Sequence, residues 1–470
     1  MNFRERALAL FPAGSNGEYG IPAELVPVLQ RGAGCRVWDT EGREFLDMTM
    51  AWGAALVGHA HPKIIEAATR QARDGANFAA VNARAVELAE RIHALSPCAE
   101  KIRFVASGTE ATMLCLRVAQ TATGRPKVLK FEGAYHGQHP VGITSMINGR
   151  PSALPAPDPS GAGAAWVERE VLVAPYNDLA TTQRILTEHA SELSAVIIEP
   201  LHRCIAPLPG FLQGLREVTR RLGIVLIFDE VVTGFRLALG GAQEYYGVTP
   251  DLVAYGKALG GGFPLGAYCG RADLMEVVNE HRLPGPRYAW SASTAGGNPV
   301  SCAAALATLE VLSEPGTHER MHAAGRLLRQ RLGEALAAAG ETGQVLGDGP
   351  LAKVAFSVHP VTDQRSWLAS DRARGRAVML ELLRAGVFLN PMGTKLYLSL
   401  AHDPKVIEEF VGHFAGALMG TRKPRVGKLS LNAEVETANP RSSALIKQEA
   451  DKFRSSFLGN DFFMSVYQRG

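Results

Sequence analysis

Two residues of opposite charge, Asp229 and Lys257, each follow a short apolar run, IVLIF at 224–228 and LVAY at 252–255. Runs of this length, rich in β-branched residues, read as buried strands. A carboxylate at a strand end often caps a helix or meets a surface arginine. Facing a crevice, it can instead keep a proton on a heterocyclic nitrogen, because a negative charge favours the pyridinium form. Lys257 stands just before Gly260, Gly261 and Gly262, and glycines let a ligand approach the backbone closely. A lysine desolvated there gives up its proton readily and becomes a nucleophile.

Three further segments carry polar or aromatic groups at the same kind of place. Ser107, Gly108, Thr109 and Glu110 open the apolar helical run TMLCLRVAQ at 112–120. A helix start of this kind offers free N–H donors to a phosphate, although Ser107 with Glu110 is also an ordinary capping pattern. No Gly-Lys-Ser/Thr follows, so a nucleotide P-loop is not supported. Tyr135 and His136 come directly after the strand-like run 127–131, where an aromatic ring can stack on a flat heterocycle. Thr294 lies in a second glycine-rich hydroxyl turn, 293–299, which has an ordinary loop reading by itself. No one segment decides the matter. Together they describe a site for pyridoxal 5′-phosphate (PLP), a phosphorylated pyridine aldehyde that serves as an electron sink.

The elements that must position these groups alternate along the chain. Strand-like runs at 127–131, 195–198, 224–228 and 252–255 are separated by helical patterns, such as the one opened by Gly210 and stopped by Gly223. That alternation predicts an α/β fold with a parallel sheet covered on both faces. In such sheets the ligand crevice lies beyond the strand carboxyl ends. Residues 151–165 read as a surface loop, and long amphipathic helices dominate from 311. The boundaries drawn are an N-terminal segment 1–60 joining a smaller C-terminal domain at 311–420, a large domain at 61–310, and a basic tail at 421–470.

The chain has 470 residues, 46% hydrophobic and 20% charged, with a net charge of +3. That size supports a large buried core. The balance argues against nucleic acid or a membrane surface as the main partner. The tail holds nine Lys/Arg against five Asp/Glu, so the positive excess resides there. No run approaches the ~18 apolar residues of a membrane span, and the start, MNFRERALALF, has too short an apolar stretch for a signal peptide. Six scattered cysteines without a C-x-x-C pair argue against zinc or a disulfide framework and fit a reduced cytoplasm.

From about residue 10 to 416 the chain resembles the class III aminotransferases, PLP enzymes of fold type I, and within them the glutamate-1-semialdehyde 2,1-aminomutase branch. The likeness is densest in FDEVVTGFR (228–236), GAQEYYGVTPDL (241–252) and GKALGGGFPLGAY (256–268), with SLAH (399–402) and the stretch 52–62 adding to it. The resemblance implies a large domain with a mostly parallel seven-stranded sheet and a small α/β domain from both chain ends. It implies that Lys257 forms the Schiff base, that Asp229 pairs with the pyridine nitrogen, and that Val231 and Tyr135 cover the two ring faces. Gly108 and Thr109 would bind the phosphate. Thr294 would serve the neighbouring subunit's site, making the active unit a homodimer.

Departures from the branch concern the substrate. Gly20 stands where the mutase pattern has a carboxylate-binding arginine, and Cys204 replaces a polar residue near the cofactor. The loop NPMGTK (390–395) lacks the mutase's gating carboxylate. Arg36 or Arg203 could substitute for the missing arginine. The reading from sequence is therefore an aminotransferase moving an amino group from a small-molecule donor to a neutral aldehyde or ketone, with Glu18 and Trp52 lining the pocket. An oxidised sugar, an aminocyclitol or a carrier-bound acyl aldehyde would fit as acceptor. The aminomutase is the alternative, and a non-catalytic PLP-binding protein is an alternative of another class.

Overall fold

The computed structural model describes residues 1–17, 21–146, 153–158, 166–283, 287–390 and 393–421. Glu18, Gly20 and the tail from 422, with most of the loop at 151–165, lie outside them. The first three strands, β1 (Leu29–Ala33), β2 (Arg36–Asp39) and β3 (Glu44–Asp47), form an antiparallel ribbon. Seven more follow: β4 (Lys101–Val105), β5 (Lys127–Phe131), β6 (Val171–Ala174), β7 (Leu193–Ile198), β8 (Val225–Asp229), β9 (Leu252–Tyr255) and β10 (Gly266–Gly270). The last four are β11 (Gln344–Leu346), β12 (Leu351–Ala355), β13 (Val387–Phe388) and β14 (Lys395–Tyr397).

Strands β4 to β10 make one sheet in the order β4-β10-β9-β8-β7-β5-β6. The run β9-β8-β7-β5-β6 is parallel, and β10 is antiparallel to both of its neighbours. β4, running against β10, therefore points the same way as β9. The carboxyl ends of β4, β5, β7, β8 and β9 all open on one edge of the sheet. The expected mostly parallel seven-stranded sheet is present.

Burial explains why the central strands β7 and β8 read as apolar runs. Along β7 and β8, Val196, Ile198, Leu226 and Phe228 enter one core cluster, and Ala195, Ile197, Val225 and Ile227 enter the cluster on the other face. A period-two strand covered on both sides has no solvent face to mark with polar residues. Helix Phe211–Leu222 lies against the first face, with Gly210 and Gly223 bounding it in left-handed conformations.

The chain ends meet in a four-stranded sheet, β1-β2-β3-β13, where Val387 pairs with Leu46 in parallel register. β11, β12 and β14 form a third, antiparallel sheet. Its apolar side joins a separate core in which Val354 and Leu396 pack with Leu328, Leu332, Phe410 and Phe414. These come from the long helices Thr317–Ala338 and Pro404–Gly420. Among the described residues no helix is long and apolar enough to cross a membrane. All six cysteines are buried and unbridged.

Candidate active site

Asp229 is the last residue of β8 and is 5% exposed. Its Oδ1 accepts the Val231 N–H at 3.0 Å, and its Oδ2 lies 2.7 Å from His136 Nδ1. His136 is buried as well, and its other ring nitrogen, Nε2, has no hydrogen-bond partner among the described residues. The loop carrying His136 is held from below by Lys130. Its buried Nζ donates to the carbonyls of Ala134, Gly142 and Thr144 at 3.0, 2.9 and 2.5 Å. Burial pushes that amine down to about 7. An alternating-strand reading places Lys130 on a solvent face, which is why its role escapes the sequence.

Lys257 follows β9, one strand over from Asp229. Its backbone is left-handed, with φ of 42°, a conformation that costs a non-glycine residue energy and is concentrated at functional sites. Burial lowers the pKa of its amine from the ordinary 10.5; Tyr397, Asp229 and Glu199 oppose that shift, and the Lys395 cation adds to it. The side chain has no ion pair or hydrogen bond among the described residues. A desolvated, unpaired amine beside a buried carboxylate is suited to attack a carbonyl.

Helix Gly108–Thr123 begins at the same sheet edge. Ser107 caps it, accepting the Glu110 N–H at 3.2 Å, and its hydroxyl donates to Glu110 Oε2 at 3.0 Å. Its hydroxyl is thus used by the cap, the alternative reading of that motif. The first N–H groups, those of Gly108 and Thr109, have no carbonyl four residues back within the helix and form the anion-facing end. A methyl group on Gly108 would sit 2.8 Å from both γ carbons of Val231, and one on Gly256 would sit 3.2 Å from Gly108 Cα. The floor closes only because both are glycines.

These observations fit PLP. The floor pairs a carboxylate with an unpaired lysine and a helix start, and the orphaned His136 Nε2 borders it. Tyr135 is half-buried, and its N–H donates to Glu199 Oε1 at 2.9 Å. Thr294 is exposed, its carbonyl held by Asn77 Nδ2 at 2.9 Å. Trp52 is 39% exposed, in a turn where Met50, Ala51 and Trp52 have φ of 47°, 52° and 58°. That turn reaches the site's wall, since a methyl group on Gly53 would lie 2.7 Å from the Tyr397 ring. Arg36 is paired at the surface with Glu44 and Glu409, at 2.9 and 2.7 Å, and so is already engaged away from the floor. Arg203 remains half-buried beside Glu199.

Four residues of this wall escape the sequence reading. Glu199 is 7% exposed; burial raises its pKa, but Arg203, His202, His136 and Lys395 outweigh it and hold the carboxyl at about 2. The other three are Lys353, Lys395 and Tyr397, whose signal in hindsight is two lysines inside short strands.

Residues 22–416 match the class-III aminotransferase family. Over 414 residues the chain is 40% identical to a glutamate-1-semialdehyde 2,1-aminomutase of Thermomicrobium roseum, covering 87% of this chain and 95% of that one. An omega-transaminase from Sphaerobacter thermophilus superposes with a TM-score of 0.84 at 38% identity, covering 89% and 96% of the two chains. A transaminase solved with PLP bound superposes with a TM-score of 0.80 at 30% identity, covering 89% and 96%. Several sequence relatives bear the aminomutase name, which favours the alternative over intermolecular transfer to a neutral acceptor. With its sheet, its strand-exit carboxylate and lysine and its full-length similarity, the chain belongs to the class-III aminotransferase family.

Proposed function

We propose that this protein is a PLP-dependent enzyme that moves an amino group between adjacent carbons of one substrate, as a glutamate-1-semialdehyde 2,1-aminomutase does. The observation that carries this reading is the 40% identity over 95% of a relative of that name. Lys257 would hold the cofactor's aldehyde carbon and Asp229 its ring nitrogen. Gly108 and Thr109 would hold its phosphate, and Val231 and Tyr135 would cover the ring. When bound, PLP supplies an electron sink for the carbon that loses a proton. Lys257 takes and returns that proton as general base and acid, which its burial-lowered pKa favours. Asp229, fixed by Val231 and His136, keeps a negative charge where a ring proton is needed. The amino group leaves one carbon and enters its neighbour, so substrate and product are isomers.

The test is to give the holoenzyme 4-amino-5-oxopentanoate (glutamate 1-semialdehyde) alone and measure 5-amino-4-oxopentanoate. Sustained conversion is expected. Turnover that stops after one equivalent and resumes only with a separate carbonyl acceptor would overturn the reading. That outcome would favour a second one, an aminotransferase with distinct donor and acceptor, supported by the 38% identity to the omega-transaminase. In either case we propose a homodimer in which the exposed turn bearing Thr294 completes the neighbouring phosphate site.

A further inference from the structure

In the sheet formed by β11, β12 and β14, Lys353 and Lys395 are direct cross-strand partners. Directly opposed residues on antiparallel strands project from the same face, and like charges there repel. The usual remedy is a carboxylate between them. Neither lysine has an ion pair or a hydrogen bond to its side chain among the described residues, nor does Arg203. Lys353 rests on an aromatic face, its Nζ 3.1 Å from the Trp367 ring centre. Lys395 Nζ lies 4.9 Å from the centre of the Tyr397 ring, two residues along the same face.

All three cations act on Glu199, and Lys395 acts on Lys257 as well. Glu199 already gives Oε1 to the Tyr135 N–H. One carboxylate therefore faces three basic groups beside the candidate catalytic lysine. Burial pushes Lys353 down to about 7. Two purely structural lysines would be expected to extend their amines to water; here both stay on one sheet face, over Trp367 and beside Tyr397, within electrostatic reach of Glu199.

We infer that Lys395, supported by Arg203 and Lys353, binds a carboxylate carried by the substrate at the end remote from its reacting carbon. This rests on the amino-transfer reading above and supplies what Gly20, at the place of the branch's arginine, does not. It also puts an acidic group on the reacting molecule, where the sequence reading expected a neutral acceptor.

Binding, measured apart from turnover, tests the inference. The holoenzyme is titrated calorimetrically with 4-oxopentanoate and with its uncharged counterpart 2-pentanone. The acid should bind at least tenfold more tightly. Lys395→Met should erase that preference by weakening the acid alone, and Lys395→Arg should restore it to within about threefold. Cofactor absorbance confirms that each variant has kept its site, and Arg203→Gln, on a loop remote in sequence from β14, should lower the same preference if Lys395→Met fails to fold. Equal affinity for acid and ketone, or a preference untouched in both Lys395→Met and Arg203→Gln, overturns the inference. If acid preference is present but 4-amino-5-oxopentanoate is not isomerised, the aminomutase reading fails and the carboxylate site stands.

Discussion

At the floor of the site Asp229 has both carboxylate oxygens engaged, by Val231 N–H and by His136, and the backbone around it packs glycine against valine. On the wall formed by β12 and β14, Lys353 and Lys395 oppose each other with no carboxylate between them. A carboxylate held on both oxygens is fixed in place before any ligand arrives, which suits the docking of a cofactor. A wall with surplus charge is complementary to something that comes and goes. On the proposed function the labour divides: the sheet edge would supply the chemistry, and the third sheet would select what undergoes it.

Removing the floor's charge should have the largest effect. Asp229→Asn keeps the shape and the Val231 contact but loses the negative charge. Proton abstraction should slow about 10³-fold, roughly 4 kcal/mol in the barrier. Single-turnover rates measure this, and a rate within a few-fold of wild type would remove Asp229 from its assigned role. Lys395→Met on the wall should by contrast alter which ligands bind while leaving Asp229's contribution to the barrier in place.

A smaller effect tests the fit of the floor. In Gly108→Ala the added methyl group meets the Val231 γ carbons at 2.8 Å. Overpacking of this kind costs roughly 1–3 kcal/mol. Cofactor retention should fall by about tenfold or more on dialysis, and pairing it with Val231→Ala should recover much of the loss. An unchanged off-rate would show that the floor can shift without cost.

The smallest effect concerns a histidine behind the wall. His202 is fully buried, stacked on Tyr176 with ring centres 4.8 Å apart, and neither ring nitrogen has a partner among the described residues. Burial pushes it down to about 3 from an ordinary 6.5. The unfolded chain takes up a proton below 6.5 and the folded chain does not until about 3, so stability is lost as pH falls through that interval. The loss is about 1 kcal/mol at pH 6 and grows with further acidification. His202→Phe keeps the stacking and should flatten this part of the profile, as read from urea midpoints between pH 7.5 and 5. A slope identical to wild type would show that His202 finds a partner when charged.

The floor was legible in the sequence because β8 and β9 are short apolar runs with a charged residue at or just beyond their carboxyl ends. The runs 127–131 and 252–255 match β5 and β9, while Asp229 proves to be the last residue of β8 itself. β10 was not legible. Its residues, GAYCG, carry two glycines and no alternation, and its antiparallel direction depends on pairing with β4, about 160 positions away. The wall was less legible still. LAKVA and KLY show a lysine in a strand, which by composition belongs at an exposed edge. Only the register of β12 against β14 puts Lys353 opposite Lys395. The parallel pairing of Val387 with Leu46 is likewise a contact between chain ends that no local pattern announces.

The turn at Met50, Ala51 and Trp52 has a bearing on how this protein would evolve under selection for heat resistance. Three successive side chains occupy a backbone region that costs each of them roughly 1 kcal/mol or more. The segment is pinned by Asp47, which accepts the N–H groups of Thr49 and Met50 at 2.7 and 2.9 Å, and by Arg236, which donates to the Gly53 carbonyl. A library screened only for survival at high temperature would be drawn to glycine or asparagine at these three positions, where the strain is released. The same replacements would slacken the segment that presses on Tyr397. Heat-selected descendants would gain robustness and, on the proposed function, would lose some of the discrimination that a firmly held Tyr397 gives the wall.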